Sequence, residues 1–221
     1  MKTFQELQEG LYDPNIFKAI FLAGGPGSGK SLVAGKATGG AGLKVVNSDP
    51  LFERMLKQAG LSEKMPPEEF ERKEVVRGKA KKLTAKMREN YLEGRLGLMI
   101  DGTGKDADKI LYQKNMLDEL GYDTYMIYVN TSVDVALQRN ADRARSLPES
   151  DVIKFWKAVQ SNIGQFSIMF RGNLIIVDNN DAGEEVLTGI YKRVKGLLRK
   201  KVTNTRAKNW MAMELAKKQR R

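Results

Sequence analysis

Between residues 16 and 178 the chain alternates short apolar runs with longer segments of three-four hydrophobic spacing. The runs Ile16–Leu22, Leu43–Val46, Leu96–Asp101, Thr124–Val129 and Leu174–Asp178 are compact enough to be strands buried on both faces. The segments between them predict helices. One covers Ser31–Thr38 and stops at Gly39-Gly40. A second starts at Pro50, with Asp49 placed to cap it, and runs through Leu51, Met55 and Leu56 to Gly60. Pro66-Pro67-Glu68-Glu69 opens a long charged helix with the stripe Val76, Ala80, Leu83, Met87 and Tyr91. Further helices are expected over Ala107–Leu120, from a Thr131 or Ser132 cap to Arg145, beyond Pro148, and from Gly183 onward. Such alternation predicts an α/β protein with a parallel sheet of about five strands.

Composition narrows the chemistry. The 221 residues contain no cysteine and no histidine. Thiolate and imidazole chemistry are therefore excluded, and a reducing cytoplasm is the expected compartment. Any general base must come from Asp, Glu, Lys or Tyr, and any metal should be a hard cation held by oxygens. No apolar run is long enough for a membrane span, and Met1–Glu6 lacks a secretion-signal core.

The formal charge of +11 is concentrated at the end of the chain. Residues 192–221 carry nearly all the excess, with Glu214 their single acid, whereas the preceding residues balance. The chain therefore divides into a body, 1–198, and a basic C-terminal extension, 199–221, where Trp210, Met211, Met213 and Leu215 give a short helix some apolar surface. Such an extension either solubilises the protein or binds a polyanion, nucleic acid ahead of membrane.

Gly24-Gly25-Pro26-Gly27-Ser28-Gly29-Lys30-Ser31 fits the pattern glycine, four residues, Gly-Lys-Ser, between an expected strand and an expected helix. The glycines turn backbone N–H groups inward, and the helix adds its positive end. Lys30 reaches the β- and γ-phosphates, and Ser31 offers a hydroxyl to Mg²⁺. Gly25, Pro26, Gly27, Ser28, Gly29, Lys30 and Ser31 thus form an expected ATP–Mg²⁺ site.

Two acids end expected strands on the same sheet edge. Asp49 can orient a hydroxyl and take its proton, or simply cap a helix. Asp101 can hold Mg²⁺ or an acceptor, or serve as a buried structural acid. Arg139 and Arg143, four residues apart on one helical face, can stabilise transferring phosphate charge or lie on an exposed amphipathic helix.

The loop, Asn47-Ser48-Asp49 after the second strand, Met99–Thr103 at the third and Arg139–Arg143 occur in the order seen in polynucleotide-kinase-type and zeta-toxin-type P-loop kinases. The chain resembles that family from about Phe17 to Asp178, and from the third strand onward it is most similar to phage polynucleotide kinase domains. The resemblance implies a P-loop NTPase kinase fold with strand order 2-3-1-4-5, flanking helices and a helical lid. It implies Asp49 as general base, Lys30 and Ser31 around ATP–Mg²⁺, Arg143 as lid arginine supported by Arg139, and Asp101 and Thr103 near the acceptor. A related phage group phosphorylates 5-hydroxymethyluracil in DNA, and the basic extension suits a DNA partner.

Three activities follow from these residues. The first is a kinase acting on a DNA hydroxyl, either 5-hydroxymethyluracil or a 5′ end. Lys79, Lys81, Lys82, Lys86 and Arg88 would track the backbone, and Trp156 or Phe166 would stack a flipped base. The second is a kinase for a nucleoside, nucleotide or nucleotide sugar. The third is a nucleotide-switch ATPase. Monomer and dimer are both left open.

Overall fold

Every residue of the first strand, β1 (Lys18–Ala23), is buried. Phe17, Ala19, Phe21 and Ala23 face one core cluster, and Ile20 and Leu22 face another. This is the two-sided burial that a central parallel strand needs. The computed structural model describes residues 10–62, 66–143, 146–181 and 183–219. Met1–Glu6, Arg145, Arg220 and Arg221 lie outside these.

Around β1 the remaining strands are β2 (Lys44–Val46), β3 (Leu98–Asp101), β4 (Asp123–Asn130) and β5 (Leu174–Asp178). They form one sheet in the order β2-β3-β1-β4-β5, with every pairing parallel. The helices are α1 (Lys30–Thr38), α2 (Asp49–Gln58), α3 (Phe70–Glu93), α4 (Ala107–Glu119), α5 (Val133–Ala141), α6 (Glu149–Ser161), α7 (Ile163–Phe170), α8 (Glu184–Leu198) and α9 (Thr205–Gln219). Val33 of α1 and Leu187, Ile190 and Val194 of α8 pack on one sheet face. Ala107 and Leu117 of α4, and Phe166 and Phe170 of α7, pack on the other. Because the strands are parallel, all the loops that follow them open on one edge, where α/β proteins place their ligands.

The helix expected beyond Pro148 is two helices. The chain bends at Asn162, whose side chain donates to the buried Gly104 carbonyl at 2.9 Å, so a tertiary contact sets the break. The helix expected to reach Arg145 ends at Ala141. On α3, Leu83 and Met87 are exposed rather than packed; the edge strand beneath is only three residues long and leaves that part of the stripe without a floor.

The basic extension is built into the body. Ala207 of α9 is fully buried in the main core, with Trp210 and Met211 packed against it. Trp210 meets Phe17 edge-on at 5.5 Å, and Arg95 lies over its indole. Gly121 leaves room for this helix, since a Cβ there would come within 2.9 Å of the Ala207 amide. Met213 and Leu215 stay exposed. Phe17 stands immediately before β1 and the glycine loop follows its end, so α9 sits a strand length, about 20 Å, from the loop-bearing edge. Among the described residues no helix is long and apolar enough to cross a membrane.

Candidate active site

The glycine loop joins β1 to α1, and its shape depends on missing side chains. Gly27 and Gly29 have φ of 74° and 79°, in the region L-residues avoid. A Cβ on Gly27 would collide with the Ala136 carbonyl of α5, and one on Gly29 with the Asn179 amide beyond β5. Ser28 N–H closes a turn onto the Gly25 carbonyl at 3.2 Å. Pro26 is buried, and Ser31 is exposed in the first turn of α1. The N–H groups of that turn have no carbonyl one turn earlier, so they present positive charge at the sheet edge. Lys30 Nζ reaches back into the loop and donates to the Gly24 and Gly25 carbonyls at 2.6 and 3.1 Å.

Asp49 and Asp101 come together beside this loop, joined by a residue that motif reading passed over. Asn47 Nδ2 donates to Asp101 Oδ2 at 2.7 Å, while Asn47 Oδ1 accepts the Asp49 N–H at 2.8 Å. The expectation that Asp49 caps α2 is thereby corrected. Ser48 holds the N-cap position without a side-chain bond, Asn47 satisfies the helix start, and Asp49 is the first helical residue. Its exposed carboxylate accepts no hydrogen bond from the described residues.

The charges of this edge act on one another. Burial pulls the Lys30 ammonium down to about 8, with the Arg143 cation adding to the shift while Asp101 and Asp49 oppose it. Burial pushes the Asp101 carboxyl up, as does Asp49, against the pull of Lys30 and Asn47. Thr103 is exposed, and its carbonyl accepts the Gly24 N–H at 3.1 Å, holding the loop after β3 against the glycine loop.

The two arginines differ. Arg139 donates from Nη1 to the Asn179 carbonyl at 2.7 Å and from Nη2 to the Asn180 carbonyl at 3.1 Å. Asn179 Nδ2 in turn donates to the Ser28 carbonyl at 2.7 Å. Arg139 thus braces the β5–α8 connection that holds the glycine loop. Arg143 is exposed beyond the end of α5, close enough to act on Lys30. Of the two aromatics considered for base stacking, Phe166 is fully buried against Tyr128 and has no face to offer. Trp156 donates its indole N–H to the Thr131 carbonyl at 2.8 Å and packs over Gly25.

A family model described as zeta toxin matches residues 8–184, four-fifths of the chain, taking in the glycine loop, both acids and both arginines. The chain belongs to the zeta toxin family. No curated protein matches this family member in sequence. Among solved structures, a gluconokinase from Sinorhizobium meliloti is similar with a TM-score of 0.52 and 14% identity, over 83% of this chain and 95% of its own. A shikimate kinase from Bacteroides thetaiotaomicron is similar with a TM-score of 0.50 and 15% identity, over 83% of this chain and 99% of its own. The zeta toxin family member therefore has the P-loop kinase fold.

The residues present fit the ATP and Mg²⁺ that this family membership implies. The inward-turned loop and Lys30 suit a polyphosphate. Among the described residues no three acidic side chains gather as a self-sufficient metal site. Ser31 and Asp101 would hold Mg²⁺ together with phosphate oxygens, in keeping with its habit of taking only one or two carboxylates from the protein.

Lys30 gives a pH signature. Its ammonium, at about 8 in the structure, must be protonated to meet phosphate, and the bound anion stabilises that form. Affinity for a nonhydrolysable ATP analogue should be level below pH 8 and fall up to about tenfold per unit above it. Calorimetric titration from pH 6.5 to 9.5 checks this. Lys30→Arg, which stays protonated, should remove the slope.

Proposed function

We propose that the protein is an ATP-dependent phosphotransferase acting on a hydroxyl of a small-molecule acceptor, such as a nucleoside, nucleotide or nucleotide sugar. The supporting observation is the meeting of Lys30, Asp101 and the unbonded Asp49 carboxylate at one sheet edge, each acting on another's ionisation. In the reaction, Asp49 orients the acceptor hydroxyl and takes its proton. The acceptor oxygen bonds to the γ-phosphorus as the bond to the β-phosphate's bridging oxygen breaks, and ADP departs with that electron pair. Lys30 and Arg143 stabilise charge on the phosphoryl oxygens. Bound Mg²⁺ would neutralise part of the polyphosphate charge.

A switch ATPase needs no acceptor side, and Asp49 together with the exposed Thr103 supplies one. A DNA hydroxyl, including that of 5-hydroxymethyluracil, draws its support from the charge of residues 192–221. That charge is anchored through α9 at the opposite end of the sheet and gives no reason to place DNA at Asp49. Lys79, Lys81, Lys82 and Lys86 are exposed along α3, an ordinary solvated face.

The test is γ-labelled ATP offered with nucleosides, nucleotides, nucleotide sugars, 5′-hydroxyl oligonucleotides and DNA with or without 5-hydroxymethyluracil. Label in a small acceptor supports the proposal. Label confined to DNA would replace it with the nucleic-acid kinase.

Asn47→Ala should lower kcat about tenfold, the worth of one hydrogen bond to a charged group. Losing that bond also raises the Asp101 carboxyl further, so the acid limb of the pH–rate profile should move to higher pH. A drop in rate with no movement of that limb would leave Asn47 a merely structural role.

A further inference from the structure

We infer that Lys105 is the anion-recognition residue of the acceptor site, so that the acceptor carries a phosphate or carboxylate besides its hydroxyl. This rests on the phosphotransferase reading and adds a substrate class to it.

Lys105 lies two residues beyond Thr103, within about 8 Å of chain. That loop is pinned on both sides. The Thr103 carbonyl accepts from Gly24 N–H at 3.1 Å, and the Gly104 carbonyl accepts from Asn162 Nδ2 at 2.9 Å. Gly104 is buried with φ of 80°, and a Cβ on it would come within 2.8 Å of Ala23 Cβ, so the loop lies flat over the end of β1. The Lys105 ammonium is then fixed 4.4 Å from the centre of the Phe155 ring. Phe155 precedes Trp156, whose Cα stands 3.6 Å from where a Gly25 Cβ would be. Lys105 and Lys30 therefore flank the same Gly24–Gly25 stretch.

The two cations differ in what they have left to give. Lys30 donates to two loop carbonyls and sits at the donor phosphates. Lys105 is exposed, and its ammonium meets only an aromatic face among the described residues. A cation over a ring is oriented without spending its N–H donors. The nearest carboxylate in sequence, Asp106, is occupied in accepting the Lys109 N–H at 2.9 Å as the cap of α4. Lys105 thus presents a positioned, uncommitted charge on the side of the loop that holds Asp101 and Thr103.

Paired ligands test this: uridine against uridine 5′-monophosphate for phosphate, and glucose against gluconate for carboxylate. Binding of each to the full chain is titrated in the presence of a nonhydrolysable ATP analogue, and transfer is assayed in parallel. The wild-type chain should prefer the anionic member of at least one pair. Lys105→Ala should reduce that preference about 10- to 100-fold, Lys105→Arg should keep it, and Phe155→Leu should weaken it in part. The pair that responds separates phosphate from carboxylate. Absence of any anionic preference in the wild type, or its survival in Lys105→Ala, overturns the inference. An anionic preference lost in Lys105→Ala without transfer to any acceptor would instead overturn the phosphotransferase reading and leave this inference standing.

Discussion

Asp49→Asn is expected to reduce phosphoryl transfer about a thousandfold, within the usual worth of a general base, while ATP-analogue affinity stays within a factor of two or three. The carboxylate accepts no hydrogen bond from the described residues, and what holds its place is its backbone N–H on Asn47 Oδ1. The amide is nearly isosteric, so α2 and the bridge to Asp101 survive the change. What disappears is the ability to take a proton from the acceptor. Single-turnover transfer and calorimetric titration of the same preparation separate the two effects. A variant that transfers at more than a tenth of the wild-type rate would remove Asp49 from the mechanism.

Gly27→Ala should be as damaging by a different route. Its φ of 74° costs an L-residue roughly 1–2 kcal/mol. The new methyl group would also strike the Ala136 carbonyl of α5, backbone that cannot rotate aside, and overpacking of this kind costs about 1–3 kcal/mol. Together these amount to a fall in melting temperature of about 5–15 °C for a chain of this size. The loop must also open away from α5, so analogue affinity should fall at least about a hundredfold, the 2.7 kcal/mol equivalent of two decades. Gly40→Ala is the control. Gly40 has φ of 72° but open space around its Cβ position, so it carries the strain without the collision and lies past the far end of α1. Equal loss of analogue binding in both variants would show that general destabilisation, not loop geometry, is responsible.

The donor half of the site was legible because local sequence determines it. A glycine pattern between an apolar run and a helix fixes the loop, and Asp49 and Asp101 stand at strand ends that periodicity already marks. What escaped was held by contacts between residues far apart in the chain. Asn47 lies in a recognised motif, yet its role depends on Asp101, 54 residues away. Asn179 reaches Ser28 across 151 residues, and no spacing rule connects them. Arg139 reads as one of two equivalent arginines until its guanidinium is found on the Asn179 and Asn180 carbonyls. The basic extension misled in the same way. Net charge dominates its composition, whereas its placement rests on Ala207 and Gly121, small residues with no hydrophobic signal of their own.

The central claim is that phosphate passes to a hydroxyl and not to water. Phosphorus-31 NMR of the full chain with ATP, Mg²⁺ and the acceptor labelled most strongly in the panel tests this most directly. The account predicts a new phosphomonoester resonance growing in step with ADP, with little inorganic phosphate. ADP accumulating with an equal amount of inorganic phosphate, whatever acceptor is present, would contradict it.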